Sequence, residues 1–268
     1  MKRLNILILI IMFLAGCAPY VKPYSQLYVP QENIKSLKKV LLIGPELDIL
    51  GLANEAWLRN TKNVWQGEIG KKWAELRAND GNLFELVLPN KDHYSMLASL
   101  IAEQKLNELP LFDTKTGEKN KEIENRLRAA YGKLAQKANV DAVMHVDFVV
   151  IPVEVKHNTA FWDGQVENVT SASFGKILLG LATQSGGSIQ TKGEVPAISL
   201  SAQLFDKDGK LLCEGRGGYK VLTEITVGVL SDDQKTLSFK EALDEKYSGK
   251  RNIAITFALS AVANPKVQ

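Results

Sequence analysis

The fold is decided by residues 198–209, which read ISLSAQLFDKDG. Apolar side chains alternate with Ser and Gln from Ile198 to Leu204, which is the pattern of a β-strand with one buried face. The Asp-Lys-Asp-Gly turn then leads the chain into a second apolar run over residues 211–222. Two such runs joined by a turn that contains glycine predict a β-hairpin.

Helical and strand patterns alternate on the N-terminal side of this hairpin. Trp65, Ile69, Trp73 and Leu76 recur at helical spacing and form one apolar stripe. The apolar run at 39–44 is continuous, which is typical of a central strand that is buried on both faces. The other predicted elements upstream are a strand at 84–88, helices at 94–106 and 123–138, and a long strand that begins at Ala142.

The long strand changes its apolar phase beside Pro152. Even-numbered positions are apolar from Ala142 to Val150, whereas Val153 and the odd-numbered positions around it are apolar afterwards. A change of phase beside a proline predicts a bulge or a strand that leaves the sheet. The next residues, 157–194, are rich in Asn, Thr, Ser and Gly, and we interpret them as a flexible insertion between two strands.

One short apolar piece lies within this insertion. Phe174, Ile177, Leu178 and Leu181 fall on one face of a predicted helix. Such a face either docks on the body of the protein or contacts a membrane surface or a partner. These four residues are therefore the candidates for partner or membrane binding.

The C-terminal residues 248–263 are apolar on most faces and predict a buried closing helix. Elements in this order predict an α/β (α+β) fold, in which helices pack on a mixed β-sheet. We expect a single domain over residues 37–265 that contains the insertion. A hydrophobic content of 45% and a charged content of 24% are ordinary for a globular domain and exclude disorder.

The first 16 residues are typical of a secretory signal peptide. Lys2 and Arg3 precede an apolar run over residues 4–14, which is shorter than the roughly 20 residues needed to cross a bilayer. The run ends in Leu14-Ala15-Gly16-Cys17, which resembles the lipobox of bacterial lipoproteins. This resemblance implies that Cys17 becomes the mature N-terminus and carries covalent lipid.

A lipid on Cys17 would anchor the protein to a membrane without spanning it. By resemblance to lipoproteins sorted in bacteria with two membranes, Ala18 implies the outer membrane, with the body facing the periplasm. Residues 17–36 contain three prolines and predict an extended tether. Tyrosines at every fourth position, such as Tyr24 and Tyr28, leave the alternative that this segment docks on the body or on lipid headgroups.

Composition and cysteine usage limit the partners and the redox chemistry. The net charge of +3 gives no sign of a nucleic-acid surface, so no nucleic-acid partner is expected. Cys213 has no second cysteine to pair with once Cys17 is lipidated, so no internal disulfide is expected. We interpret Cys213 as a small buried hydrophobe that shares a strand face with Leu211 and Tyr219.

Few residues in the sequence offer catalytic chemistry. His145 and Asp147 lie two apart on one face of a predicted strand, and they are the best candidates for a catalytic or metal-binding pair. Two polar groups on the less buried face of a strand are the favoured interpretation. We therefore expect no catalytic residue, no metal and no cofactor other than the lipid.

The order of elements resembles that of curli-secretion-type lipoproteins and their relatives, which include lipoproteins that activate penicillin-binding proteins. The resemblance rests on a lipidated Cys, an opening apolar strand, the helix that leads into residues 138–143 (ANVDAV), the hairpin and the last helix. It implies a protein that binds or assembles and does not catalyse. The sequence lacks two clear pairs of long alternating strands, so pore formation is not expected.

These observations predict a non-enzymatic accessory or scaffold subunit of an envelope assembly or secretion system. Its expected partners are the membrane and either an envelope protein or further copies of itself. The alternatives are a cell-envelope enzyme that uses His145 and Asp147, and a carrier of lipid or another small ligand. A deep polar cleft that contains His145 would favour the enzyme, whereas an exposed apolar patch would favour the scaffold.

Overall fold

The computed structural model of the protein describes residues 21–45, 56–106, 121–172, 193–227, 232–236, 243 and 245–265. Its helices are α1 (Gln31–Lys35), α2 (Ala56–Asn79), α3 (Lys91–Glu103), α4 (Lys121–Lys137) and α5 (Ser248–Ala263), and a 3-10 turn at Glu245–Tyr247 leads into α5. Its strands are β1 (Tyr24–Leu27), β2 (Lys39–Ile43), β3 (Glu85–Val87), β4 (Ala142–Lys156), β5 (Thr159–Trp162), β6 (Gln165–Asn168), β7 (Thr170–Ala172), β8 (Gly193–Asp206), β9 (Leu211–Val221), β10 (Thr223–Val227) and β11 (Asp232–Thr236).

The main sheet is mixed, and in the described part of the chain it has eight strands. Six of them follow the order β1-β9-β8-β4-β2-β3, and the β5–β6 hairpin is joined to β4. β8 pairs antiparallel with β4 and β9, whereas β2 runs parallel to β3 and β4. A smaller sheet has the order β11-β10-β7. The predicted mixed sheet with packed helices, in one α+β domain, is confirmed.

Apolar clusters lie on both sides of the main sheet. On one side, α2 and α5 pack on β4, β8 and β9, and the ring of Trp65 lies 4.8 Å from Phe148 and 5.2 Å from Tyr219. On the other side, α3 and α4 pack on β2 and on the first part of β4. The tryptophan stripe predicted as core therefore faces the sheet.

The predicted hairpin is confirmed by β8 and β9. Its turn is closed by the N–H of Gly209, which donates to the carbonyl of Asp206 at 3.0 Å, and Gly209 has a φ of +76°, which glycine adopts without a steric penalty. The register between β8 and β9 shifts next to the turn, between Leu204 and Phe205. Because of this shift, Leu211 and Cys213 lie in the apolar clusters on opposite sides of the sheet. The expectation that they share a face is wrong, but the burial of Cys213 is confirmed and raises the pKa of its thiol to about 12.

The change of apolar phase at Pro152 does not produce a bulge in the pairing of β4 with β8. The register of these two strands is unbroken from residue 142 to residue 155, with Pro152 opposite Pro196. The buried face changes because Val153 and Val155 join a third cluster, which the β5–β6 hairpin covers from the other side of the sheet. The prediction that the strand leaves the sheet is therefore wrong. The apolar phase changes because the covered face of the strand changes.

Two expectations about irregular segments also need correction. From Tyr24 onward, residues 17–36 are not an extended tether, because β1 pairs antiparallel with β9 and α1 buries Ile34 in the core. The insertion 157–194 is not irregular in its first part, where β5, β6 and β7 form. Residues 173–192 of that insertion lie outside the described residues.

The remaining predicted elements are confirmed within a few residues. α5 has the predicted bounds, and its apolar residues, such as Ala254 and Leu259, are buried against the sheet. None of the helices in the described ranges combines the length and the apolar character that a bilayer crossing requires.

Candidate functional site

The register of four antiparallel strands brings polar side chains together on the side of the sheet that faces away from α5. Directly opposed residues of paired strands point to the same side of a sheet. We call the resulting two lines of side chains the polar rows: Asp147–Ser201–Arg216–Tyr24 and His145–Gln203–Glu214–Gln26, each running through β4, β8, β9 and β1. The side chains that alternate with them, including Ala202 and Leu204, point toward α5.

Glu214 and Arg216 form the charged centre of the polar rows. The Glu214 side chain is buried, with 5% exposure for the residue, and its Oε1 accepts a hydrogen bond from Arg216 Nε at 2.7 Å. The same oxygen accepts from the hydroxyl of Ser201 at 3.3 Å. Burial opposes the charge of Arg216, but the adjacent Glu214 carboxylate outweighs it and raises the pKa of Arg216. Arg216 is therefore held in its charged form beside Glu214.

Tyrosines of the N-terminal segment cover this ion pair from the edge of the sheet. The guanidinium of Arg216 lies 4.3 Å from the ring centroid of Tyr24, within cation–π range. The Tyr24 hydroxyl donates to Gln26 Oε1 in the neighbouring row. Partial burial, together with the charge of Glu214, raises the pKa of Tyr28 to about 12. The segment expected to be a tether thus contributes three side chains to the site.

The turn of the β5–β6 hairpin lies alongside the polar rows, next to β8 and β9. The hydroxyl of Ser199, on β8, donates to Asp163 Oδ2 at 2.6 Å, and the N–H of Gly218 donates to the Asp163 carbonyl at 2.8 Å. Burial raises the pKa of the Asp163 carboxyl, and the hydrogen bond from Ser199 opposes part of this rise. The Asp163 carboxyl is consequently protonated more easily than an ordinary aspartate as the pH falls.

On β4, the row that contains His145 is covered by α4. The ring of His145 stacks on that of Tyr131, with 4.9 Å between the centroids, and His145 is only 8% exposed. Asp147 lies two residues further along β4, and its Oδ1 accepts the N–H of Phe148 at 2.7 Å. The two candidates share the less buried face of this part of β4, since Asp147 is half-buried, but Tyr131 covers His145.

The other predicted site residues do not join this cluster. Cys17 and the four residues Phe174, Ile177, Leu178 and Leu181 lie outside the described residues. The Asp-Lys-Asp-Gly segment is a turn, in which Asp206 Oδ1 accepts the N–H groups of Asp208 and Lys210 at 2.9 and 2.8 Å. Across the described ranges, no group of three or more His, Cys, Asp or Glu side chains has a geometry that could hold a metal ion.

An open cavity of 730 Å³ lies at the end of β1, beside Tyr28. Its lining includes Leu27, Tyr28, Pro30 and Pro265. Neither His145 nor Asp147 lines it. The cavity therefore gives no access to the two catalytic candidates.

Comparisons with protein-family models, with curated proteins and with solved structures give no match for this chain. Function is therefore inferred from the side chains and their geometry.

Sequence reasoning identified only the β4 members of the polar rows. Ser201 and Gln203 read as the ordinary solvent face of a strand, and Glu214 and Arg216 lie in a run that is mostly apolar or glycine. A usable signal was present, because Glu214 and Arg216 are spaced by two and therefore share a strand face. The contribution of Tyr24 had no local signal, since it depends on pairing with a strand that is remote in sequence.

Proposed function

We propose that the protein is a lipoprotein of the outer membrane, anchored through Cys17 with its body in the periplasm, and that it is a non-enzymatic accessory or scaffold subunit of an envelope assembly or secretion system. The observation that carries this proposal is the pairing of β1 with β9. Tyr24 follows Cys17 by seven residues, so the chain between them spans at most about 25 Å. A lipid on Cys17 would hold the sheet close to the membrane.

The polar rows support a binding role. Within the rows, Arg216 and Ser201 donate to Glu214, and next to the rows Ser199 donates to Asp163. The buried Glu214 holds the half-buried Arg216 in one orientation, and a guanidinium fixed in this way lowers the entropic cost of binding. Tyr and Arg, as in the Tyr24–Arg216 pair, are also enriched among the residues that dominate interface energies.

The anchor is tested by metabolic labelling with palmitate, followed by density-gradient separation of the two membranes. The wild-type protein should incorporate label and migrate with the outer membrane, whereas Cys17→Ala should do neither. Migration of the wild-type protein with the inner membrane would contradict the proposed location. Absence of label would contradict the anchor itself.

The scaffold role is tested by crosslinking in intact cells, with Gln203→Lys in the polar rows and Lys133→Glu on the exposed surface of α4 as the matched control. A stoichiometric envelope partner, or a second copy of the chain, should be captured by the wild-type protein and by the control. Capture should be lost with Gln203→Lys if both variants remain folded. Equal capture by all three would exclude the polar rows as the interface.

The competing proposal is an envelope enzyme that uses His145 and Asp147, because both belong to the polar rows. It predicts that Asp147→Asn abolishes the cellular function while leaving the captured partner unchanged. The scaffold proposal predicts that loss of function and loss of the partner always occur together. The carrier proposal would need a site that encloses its ligand, and the 730 Å³ cavity is open to solvent.

A further inference from the structure

Arg251, on α5, binds two carboxylates through two edges of its guanidinium. Its Nε and Nη2 donate to the two oxygens of Glu68 at 2.7 and 2.8 Å. Its Nη1 and Nη2 form the second edge, and each donates to one oxygen of Glu245 at 3.1 Å. Two parallel N–H groups in one plane match the two oxygens of a carboxylate, so each edge of an arginine can hold one acid.

Arg216, in the polar rows, has only its Nε edge filled. Its Nε donates to Glu214 at 2.7 Å, but within the described part of the chain neither Nη1 nor Nη2 donates a hydrogen bond. The Asp163 carboxylate alongside the rows accepts a hydrogen bond from Ser199 at 2.6 Å and forms no ion pair with Arg216. Among the described residues, the Nη1/Nη2 edge of Arg216 therefore lacks the acid that Arg251 has.

The Arg216 guanidinium is held in place on two sides and is still accessible. Glu214, whose side chain is only 6% exposed, binds Nε, and the ring of Tyr24 stacks on the guanidinium at 4.3 Å. The Arg216 side chain is nevertheless 27% exposed, whereas that of Arg251, with both edges filled, is 5% exposed. A guanidinium that is already oriented loses little conformational entropy when it binds, and arginine is enriched among the residues that dominate interface energies.

We propose that a carboxylate side chain of the protein partner occupies the Nη1/Nη2 edge of Arg216, as Glu245 occupies that edge of Arg251. This deepens the proposed scaffold role and rests on it, because the polar rows are the proposed interface. An amide offers one acceptor oxygen and a lysine offers none, so neither would fill both positions of the edge. Arg216 is thus a specificity-determining residue that selects an acidic segment of the partner.

The test is NMR of the arginine side-chain N–H groups in the full-length lipidated protein, in detergent micelles, during titration with acetylated pentaglutamate. Pentaglutamine has a similar shape without the charge, and pentalysine carries the opposite charge. Pentaglutamate should shift the Arg216 signals in a saturable way, while the signals of Arg251, whose two edges are already filled, should stay in place. Neither of the other two peptides should shift the Arg216 signals.

Two variants separate the guanidinium from its charge. Arg216→Lys keeps a cation beside Glu214 but removes the planar pair of donors, so it should weaken pentaglutamate binding by about tenfold or more. Arg77→Lys is the matched control, at an exposed arginine whose Nε donates to the Leu83 carbonyl, and it should leave binding unchanged. Urea unfolding shows whether each variant is folded, and the titration of the wild-type protein decides the proposal if Arg216→Lys is not.

Each other result contradicts a distinct step. Arg216 signals that do not move with pentaglutamate, or that move equally with pentaglutamine, would overturn the recognition of a carboxylate. Equal weakening by both variants would show that exposed arginines in general attract the peptide. The crosslinking in cells judges the scaffold role separately. If wild type and Arg216→Lys capture the same partner equally, that role stands and this inference is wrong, whereas a wild-type protein that captures no partner contradicts the scaffold role itself.

Discussion

The two faces of the β8–β9 pair are stabilised by different interactions. Toward α5, the strands present small and apolar residues, and Gly217 lets the helix backbone come into contact with the sheet. Away from α5, the same strands present Ser201, Glu214 and Arg216, which are held by hydrogen bonds and charge. Because alternate residues point to opposite sides, one short stretch of chain supplies both surfaces. We therefore expect stability to depend on shape on the α5 side and on charge pairing in the polar rows.

The largest effect is expected on the α5 side, for Gly217→Ala. The added Cβ would lie 2.0 Å from the carbonyl oxygen of Ala254, and this backbone atom cannot move aside by changing a rotamer. We expect the free energy of unfolding to fall by about 3 kcal/mol, measured by urea denaturation. The matched control is Gly67→Ala, where the Cβ meets no atom within 4 Å. It should be neutral or stabilising, and equal losses in both variants would contradict the close-contact explanation.

The next effect belongs to the polar rows. Arg216→Met removes the cation that pairs with the buried Glu214 and should lower the free energy of unfolding by about 2 kcal/mol, because an unpaired buried carboxylate is costly. Arg216 is partly exposed, so water compensates for some of the loss. The double variant Glu214→Met with Arg216→Met should recover part of the stability. A double variant that is simply the sum of its parts would show that the pair is not coupled.

A pH-dependent effect is expected from Asp163→Asn. Burial raises the pKa of Asp163 above its unfolded value, so the folded state binds the proton more tightly. The stabilisation that protonation of Asp163 gives the folded wild-type protein is fully present below 3.8, the pKa of Asp163 in the unfolded chain. It is lost as the pH rises through the higher pKa that Asp163 has in the folded protein. Asp163→Asn should therefore gain stability relative to wild type between acidic and neutral pH, measured by urea unfolding across that range. A constant difference at all pH values would contradict the shift.

The smallest effect is expected for Ser201→Ala. This change removes one hydrogen bond of 3.3 Å to Glu214, while Arg216 still pairs with that carboxylate. A loss of about 1 kcal/mol or less is expected from thermal unfolding. A loss as large as that of Arg216→Met would show that the hydroxyl, and not the guanidinium, is the main partner of Glu214.

The spacing of apolar residues predicted those elements that lie within one continuous segment of the chain. Residues 248–263 form one helix with the predicted bounds, and the hairpin at 198–222 forms because its turn residues suit a tight reversal. The candidate site was less predictable. Only His145 and Asp147 were identified, since each polar row takes one residue from each of four strands and depends on the register between them.

Sequence by itself determined the hairpin, the helical stripes and the mixed α+β class, because each follows from the spacing of apolar residues within a single segment. Tertiary structure alone decided that Tyr24 begins an edge strand, since a strand of four residues is stabilised only by its pairing with β9. It also decided that the β5–β6 hairpin is the element that covers β4 beyond Pro152 and that Tyr131 covers His145. These features depend on contacts between residues far apart in the chain, and local spacing carries no information about such contacts.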